Sequence, residues 1–186
     1  MGSASTSSTP STIMRRIAST ENRNLQVSNG LEILSVGEYS TYRDLCHRVK
    51  TGERSSIQEA AHLMAERIPF LLTSVLIPMP SHLGYASDTL RLCNEISSLT
   101  GLPVIDALLG NKRESLYHLK RNGMVVPDSS FFGYHLVRDI PAYLTPVIVD
   151  NVIATGQTMK AAIAAVMKAI PCAIAVDNRL IRLIVA

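Results

Sequence analysis

Phe70-Leu-Leu-Thr-Ser-Val-Leu-Ile77 is a continuous, largely apolar run of strand length, stopped by Pro69 before it and by Pro78-Met79-Pro80-Ser81 after it. A strand with one solvated face alternates apolar and polar residues. An unbroken run therefore predicts a strand buried on both faces, as in a parallel sheet. Parallel neighbours need crossover connections, usually helices, and those helices cover the faces. Of the 186 residues, 47% are hydrophobic and 18% charged, enough apolar material for a sizeable core in one domain.

Helical spacing occurs where such crossovers would lie. Residues 42–50 read as a helix that stops near Gly52. Ile57, Ala61, Met64 and Ile68 recur on one face of a second helix, ended by Pro69. Residues 86–99 predict a third, with Gly101 where a C-cap glycine belongs. A fourth runs from 158 to 170, with Met159, Ile163, Val166, Met167 and Ile170 inward and Pro171 as its stop. Residues 31–36, 103–109, 147–149, 172–176 and 180–185 read as strands. Together these elements predict an α/β domain with an open, mostly parallel sheet flanked by helices. Residues 110–145 carry no clear period and read as a long loop with room for one hairpin. A loop of that length in a compact domain is usually functional. It, the N-terminal segment or both would supply a small cap. The first twelve residues contain eight Ser or Thr, so residues 1–28 read as a flexible tail and 29–186 as the domain.

Composition removes several classes of function. Lys plus Arg number 18 against 15 for Asp plus Glu, a net +3 that does not by itself imply a nucleic-acid or membrane-surface partner. There is no Trp and little Phe, so stacking of bases on aromatic rings is disfavoured. Cys46, Cys93 and Cys172 are odd in number and far apart. That excludes a disulfide framework and a paired-cysteine zinc ribbon, and fits a reducing, cytoplasmic setting. No stretch approaches the ~18–20 apolar residues of a membrane span.

Residues 147–158 carry the chemistry. The strand Val147-Ile-Val delivers Asp150 and Asn151 to its carboxyl end, where open α/β sheets bind ligands. The chain then turns through Ala154-Thr155-Gly156 and enters a helix at Gln157-Thr158. Gly156 can take positive φ and let the backbone approach a ligand closely. The first N–H groups of the helix lack intrahelical partners, and the helix dipole favours an anion there. Thr155 and Thr158 add hydroxyl donors. The turn is therefore a phosphate cradle of neutral groups, with Asp150 and Asn151 placed for the hydroxyls of an attached sugar. A Walker loop and a Gly-x-Gly-x-x-Gly fingerprint are both absent.

Val147-Ile-Val-Asp150-Asn151-Val-Ile-Ala154-Thr155-Gly156-Gln157-Thr158 resembles the phosphoribosyl pyrophosphate (PRPP) binding motif of type I phosphoribosyltransferases. The likeness extends upstream to Ile77-Pro78-Met79-Pro80-Ser81-His82, the place of that family's pyrophosphate loop. With Thr100-Gly101-Leu102-Pro103 it is similar to the ComF-like branch, without that branch's zinc ribbon. A basic segment of that branch is matched loosely by Asn111-Lys112-Arg113-Glu114 and by Leu119-Lys120-Arg121-Asn122, and its upstream helix by residues 42–52. The second acidic residue of the motif is Asn151 here, and the Pro turn lacks the branch's Arg-rich continuation.

The resemblance implies a phosphoribosyltransferase that binds Mg²⁺-PRPP and transfers the phosphoribosyl group to a nitrogenous base or amine, releasing pyrophosphate. Asp150 and Asn151 would be the catalytic pair, each on a ribose hydroxyl. Residues Ala154, Thr155, Gly156, Gln157 and Thr158 would hold the 5′-phosphate. Met79, Pro80, Ser81 and His82, with Lys112 and Arg113 as a closing basic arm, would hold pyrophosphate. No side chain would ligate Mg²⁺ directly, the ion arriving with PRPP beside Asp150. Asp177 and Asn178 end the strand after the motif helix, a neighbourhood that can contact the base. Lys120 and Arg121 read as solvated charges, and His47, His62, His118 and His135 show no metal-ligand spacing. Dimers are frequent in the family. An Asp in place of Asn151 would restore a charge beneath the developing cation and should raise turnover. A non-catalytic PRPP- or nucleotide-binding module is the alternative, and an accessory role in DNA uptake rests on the ComF-like likeness alone.

Overall fold

A computed structural model describes residues 25–28, 30–68, 73–124 and 129–177. Residues 74–77 of the apolar run predicted at 70–77 fall in strand β3, Ser74–Pro78, every residue of which is buried, and residues 70–72 lie outside the described residues. The other strands of the main sheet are β1 (Leu25–Ser28), β2 (Leu31–Glu38), β6 (Thr145–Ile153) and β7 (Ile170–Val176). Their order across the sheet is β1-β2-β7-β6-β3. All neighbours run parallel except β1, which pairs antiparallel with β2 from Leu25↔Leu34 to Ser28↔Leu31. The fold is thus α/β, an open and mostly parallel sheet flanked by helices.

Leu25–Ser28 fall within the stretch that composition assigns to a tail. Leu and Val alternate there with Gln and Ser, the period-2 pattern of a strand, and β2 offers an edge to pair with. Residues 1–24 of that predicted tail, and the strand predicted at 180–185, lie outside the described residues.

Helices α1 (Tyr39–Lys50), α2 (Arg54–Ala65) and α3 (Asp88–Thr100) cover one face of the sheet. Leu45, Val49, Met64, Leu92 and Ile96 form a core there with Val147, Val149, Cys172 and Ile174. Helix α5 (Gln157–Val166) covers the other face, where Met159, Ala162 and Val166 meet Ile77, Ile148 and Ala173. Gly101 caps α3 in the left-handed region as predicted, its N–H donating to the Ser97 carbonyl at 2.8 Å.

Three local expectations shift. The last helix ends at Val166 rather than at residue 170. Met167 turns out into solvent with positive φ and 71% exposure, and Ile170 opens β7. Pro171 therefore lies inside a strand, but at its second residue, before the pairing with β2 begins at Cys172. A missing N–H is tolerated there. Residues 103–109 run beside β3 through a single bridge, Leu76↔Val104. Only Leu108–Leu109 (β4) are strand, and they pair with β5 (His135–Leu136) in a separate two-stranded sheet. Between these strands lie α4 (Leu116–Arg121) and a 3₁₀ turn, Ser129–Phe132. This segment is the small cap. Among the described residues no helix is long and apolar enough to cross a membrane.

Candidate active site at the carboxyl edge of the sheet

Strands β3 and β6 are adjacent, yet their following helices lie on opposite faces, α3 with one core and α5 with the other. A crevice opens at such a switch point, outside the carboxyl ends of the strands. A cavity of about 1150 Å³ lies there. Its floor and one end are Asp150, Asn151, Val152 and Ile153 of β6, then Ala154, Thr155, Gly156, Thr158 and Met159 entering α5. Its walls come from α1, from His82, from the segment Glu114–Leu116 with His118 and Arg121, and from Asp177. The volume exceeds the ~300–1,000 Å³ of a typical small-ligand site, so a phosphorylated sugar and a second reactant can share it.

The turn into α5 has the geometry its sequence predicts. Gly156 is the N-cap with φ 73, a left-handed conformation that glycine adopts without steric cost. No side chain caps the helix and its first turn holds no acidic residue. The leading N–H groups therefore lie at the cavity end without a side-chain cap, a position that suits an anion. Gln157 does not line the cavity, and its Oε1 is buried without a hydrogen-bond partner.

Asp150 is half-buried and its carboxyl is pushed up to about 7. Withdrawal from water is the first cause, and the Asp88 carboxylate at the start of α3 adds to it. The Asn151 backbone N–H, donated to Asp150 Oδ1 at 2.7 Å, opposes the shift, as do Lys50 and Arg113. Near neutral pH this group holds or releases a proton with little bias.

Asn151 lines the cavity but is 8% exposed and tethered. Its Nδ2 donates to the Cys46 carbonyl of α1 at 2.8 Å, while its Oδ1 has no partner. One half of the amide is structural and the other half is buried without a partner. An Asp at 151 would lose that bond and set a carboxylate against the Cys46 carbonyl, beside Asp150. That substitution therefore carries a folding penalty that the bare motif does not show. Cys46 also borders the cavity, but burial and the Asp150 charge push its thiol up to about 12, which removes it as a nucleophile.

The loop after β3 departs further from expectation. Pro80 has no N–H. The Ser81 N–H donates to the Tyr85 carbonyl at 3.0 Å and the Gly84 N–H to the Ser81 carbonyl at 3.1 Å. The Leu83 N–H donates to Ser81 Oγ at 3.1 Å. The loop's donors are mostly turned inward. Of Met79, Pro80, Ser81 and His82, only His82 lines the cavity. Lys112 and Arg113 do not. They border a smaller hollow with Phe131 and Met124. Arg113 is anchored: its guanidinium lies 4.9 Å above the Phe132 ring, Nη2 donates to the Tyr134 hydroxyl at 3.1 Å, and its N–H donates to the His82 carbonyl at 2.8 Å. A residue so held in this conformation braces the loop.

Asp177 lines the cavity as the sequence allowed, and Asn178 lies outside the described residues. Sequence reasoning missed Arg43, His47 and Lys50 on α1. Their spacing along one helical stripe was the available signal. It also set aside His118 and Arg121, which reach the cavity from α4. Among the described residues no group of three or more His, Cys, Asp or Glu is arranged to hold a metal ion.

No family model matches the chain, and no curated protein matches it. Among solved structures it is similar to one described as the allosteric regulatory enzyme of purine biosynthesis, at 14% identity and a TM-score of 0.41. That match covers 64% of this chain and 25% of the other, so this chain spans a quarter of that neighbour's length. It is also similar to adenine phosphoribosyl transferase from Trypanosoma brucei, solved with AMP, pyrophosphate and ribose-5-phosphate. The identity there is 12%, the TM-score 0.40, and the coverage 69% of this chain and 67% of the other. At that level of likeness the residues of the site decide what it can do.

Proposed function

We propose that the chain is a phosphoribosyltransferase that binds Mg²⁺-PRPP in this cavity and passes the phosphoribosyl group to a nitrogen nucleophile. The observation that carries the reading is the uncapped N-terminus of α5 opening into the same cavity as Asp150. Phosphate suits the first and a ribose hydroxyl the second. As the nitrogen attacks C1, the bond from C1 to the pyrophosphate oxygen breaks, its electron pair leaves with pyrophosphate, and the nitrogen loses a proton. Positive charge develops on the ribose ring, and ionised Asp150 offsets it. Mg²⁺ suits the site as part of the substrate, because it is commonly held by one or two carboxylates together with substrate phosphates. Asp150 is the carboxylate that would lie beside the ion carried by PRPP. The ComF-like affinity rests on the Pro turn, on Gly101-Leu102-Pro103 and on looser matches in the basic segment and the upstream helix.

A second reading, a phosphoribosyl-ligand sensor without turnover, is favoured by one observation. Position 151 offers no carboxylate, and its amide nitrogen is committed to α1.

Calorimetric titration with PRPP and with ribose 5-phosphate, with and without Mg²⁺, tests the binding. Thr155→Ala and Asp150→Ala should each weaken both ligands by roughly tenfold or more. Failure of the wild type to bind either ligand sinks both readings. Pyrophosphate release over a panel of purine and pyrimidine bases then separates enzyme from sensor.

A further inference from the structure

One wall of the cavity is basic, and the reading above gives it no task. Tyr39, Arg43, His47 and Lys50 fall on one stripe of α1, and all four line the cavity. Like charges so close on a helix repel when nothing offsets them. Arg48, on another face of the same helix, shows what a surface cation here does when carboxylates are near. Its Nε lies 3.5 Å from Glu53 and 2.8 Å from Ser56 Oγ, and its Nη2 lies 3.8 Å from Glu59. Arg43 and Lys50 make no such ion pair among the described residues. His47 is held by the Tyr39 hydroxyl at 3.2 Å. The carboxylates that border the cavity, Asp150, Glu114 and Asp177, come from other elements. Lys50 reaches toward the floor, near enough for its charge to act on Asp150. The loop after β3, meanwhile, keeps most of its N–H groups for itself. An anionic group bound beside Asp150 meets its free cations on α1.

We infer that the Arg43–His47–Lys50 stripe is a second anion subsite, which takes an oxyanion of a reactant lying over Asp150. Its partner is the diphosphate of the sugar donor or a carboxylate carried by the acceptor. This deepens the phosphoribosyl reading and rests on it only for what lies at the other end of the cavity.

The test is titration of the wild type and of an Arg43→Gln/Lys50→Gln double variant with four probes: inorganic diphosphate, pyridine-3-carboxylate, ribose 5-phosphate and PRPP. Both residues are exposed, so the variant keeps its core, and a matching thermal melt checks this. The expected result is a loss of about tenfold to a hundredfold for diphosphate or for the carboxylate, with ribose 5-phosphate within twofold. Arg48→Gln, which removes one positive charge from another face, should change none of the four. Loss of diphosphate together with PRPP assigns the subsite to the leaving group, and loss of the carboxylate alone assigns it to the acceptor. An equal loss for all four probes would mean a diffuse field and overturn the subsite. So would an unchanged variant, or a wild type that binds neither diphosphate nor carboxylate. A wild type that fails to bind ribose 5-phosphate overturns the phosphoribosyl reading, while the two simple anions still decide the subsite.

Discussion

Two loops leave the same edge of the sheet side by side, after β3 and after β6, and they are built in opposite ways. The β6 loop is short, passes through left-handed Gly156 and presents an uncapped helix N-terminus to the cavity. The β3 loop folds on itself. Its N–H groups at Ser81, Leu83 and Gly84 are bonded within the loop, and the segment around Gly110–Arg113 holds it from outside. Both loops sit where α/β folds bind ligands. Backbone donors follow where they are already used, and a shared address in the fold does not give both loops the same capacity.

The sharpest way to break that contrast is at Gly84. Its φ is +92, and a Cβ there would lie 2.5 Å from the Gly110 carbonyl oxygen, whose own N–H bonds the Gly84 carbonyl at 2.9 Å. Backbone on both sides leaves no room to yield. Gly84→Ala should cost about 3 kcal/mol by adding a left-handed alanine to a steric clash. Urea unfolding measures it, and a loss below about 1 kcal/mol would mean that the loop is not clamped as described. Gly156→Ala carries a left-handed penalty of about 1 kcal/mol. Its larger consequence should be weakened ribose 5-phosphate binding. The two glycines thus separate a loop clamped by its own backbone from a loop proposed to bind phosphate.

Asn151→Asp is the next largest effect. It removes the 2.8 Å bond to the Cys46 carbonyl from a buried position and adds a charge beside Asp150. A destabilisation of about 2 kcal/mol is expected at pH 8, with turnover not raised. Higher turnover in a variant of unchanged stability would restore the role that the bare motif suggests.

The β6 loop was legible in the sequence because its chemistry is local. A buried strand, Asp150, a glycine turn and a helix start lie within a dozen residues, and each has a one-dimensional signature. The sheet was legible for the same reason, through the unbroken run ending at Ile77 and through strands alternating with helices. The β3 loop was not. Its donors are used up by Tyr85 and by Ser81's own side chain and carbonyl, and its brace is Arg113, fixed by Phe132 and Tyr134 from a distant turn. Residues 103–109 looked like a full strand because apolar content does not reveal how many partners a segment finds. The tether of Asn151 to the Cys46 carbonyl was not legible, because nothing in the sequence shows Cys46 beneath it. Met167 looked like core because helical spacing continued past Val166, where the chain leaves the helix.

The last prediction concerns Asp150, which faces the cavity from β6, the strand between β3 and β7. Its carboxyl lies near 7 when folded and near 3.9 in an unfolded chain. The folded protein therefore binds more protons than the unfolded one between about pH 4 and 7. Stability falls as pH rises through that window and levels off above it, because the ionised form is the one that burial and Asp88 disfavour. Asp150→Asn removes the proton and keeps the shape. Against the wild type, the variant should gain about 2 kcal/mol in relative stability between pH 4 and pH 8. That is about half of the full linkage value, because the side chain is partly exposed. Other carboxylates titrate alike in both proteins and cancel in the difference. Unfolding curves for the pair at the two pH values measure it, and parallel pH dependence would place Asp150 in water rather than in the cavity floor. A positive slope difference would mean that the strand ends in a charge the fold tolerates at a cost, as expected of a group whose ionised form serves a developing cation on a bound sugar rather than the stability of the empty protein.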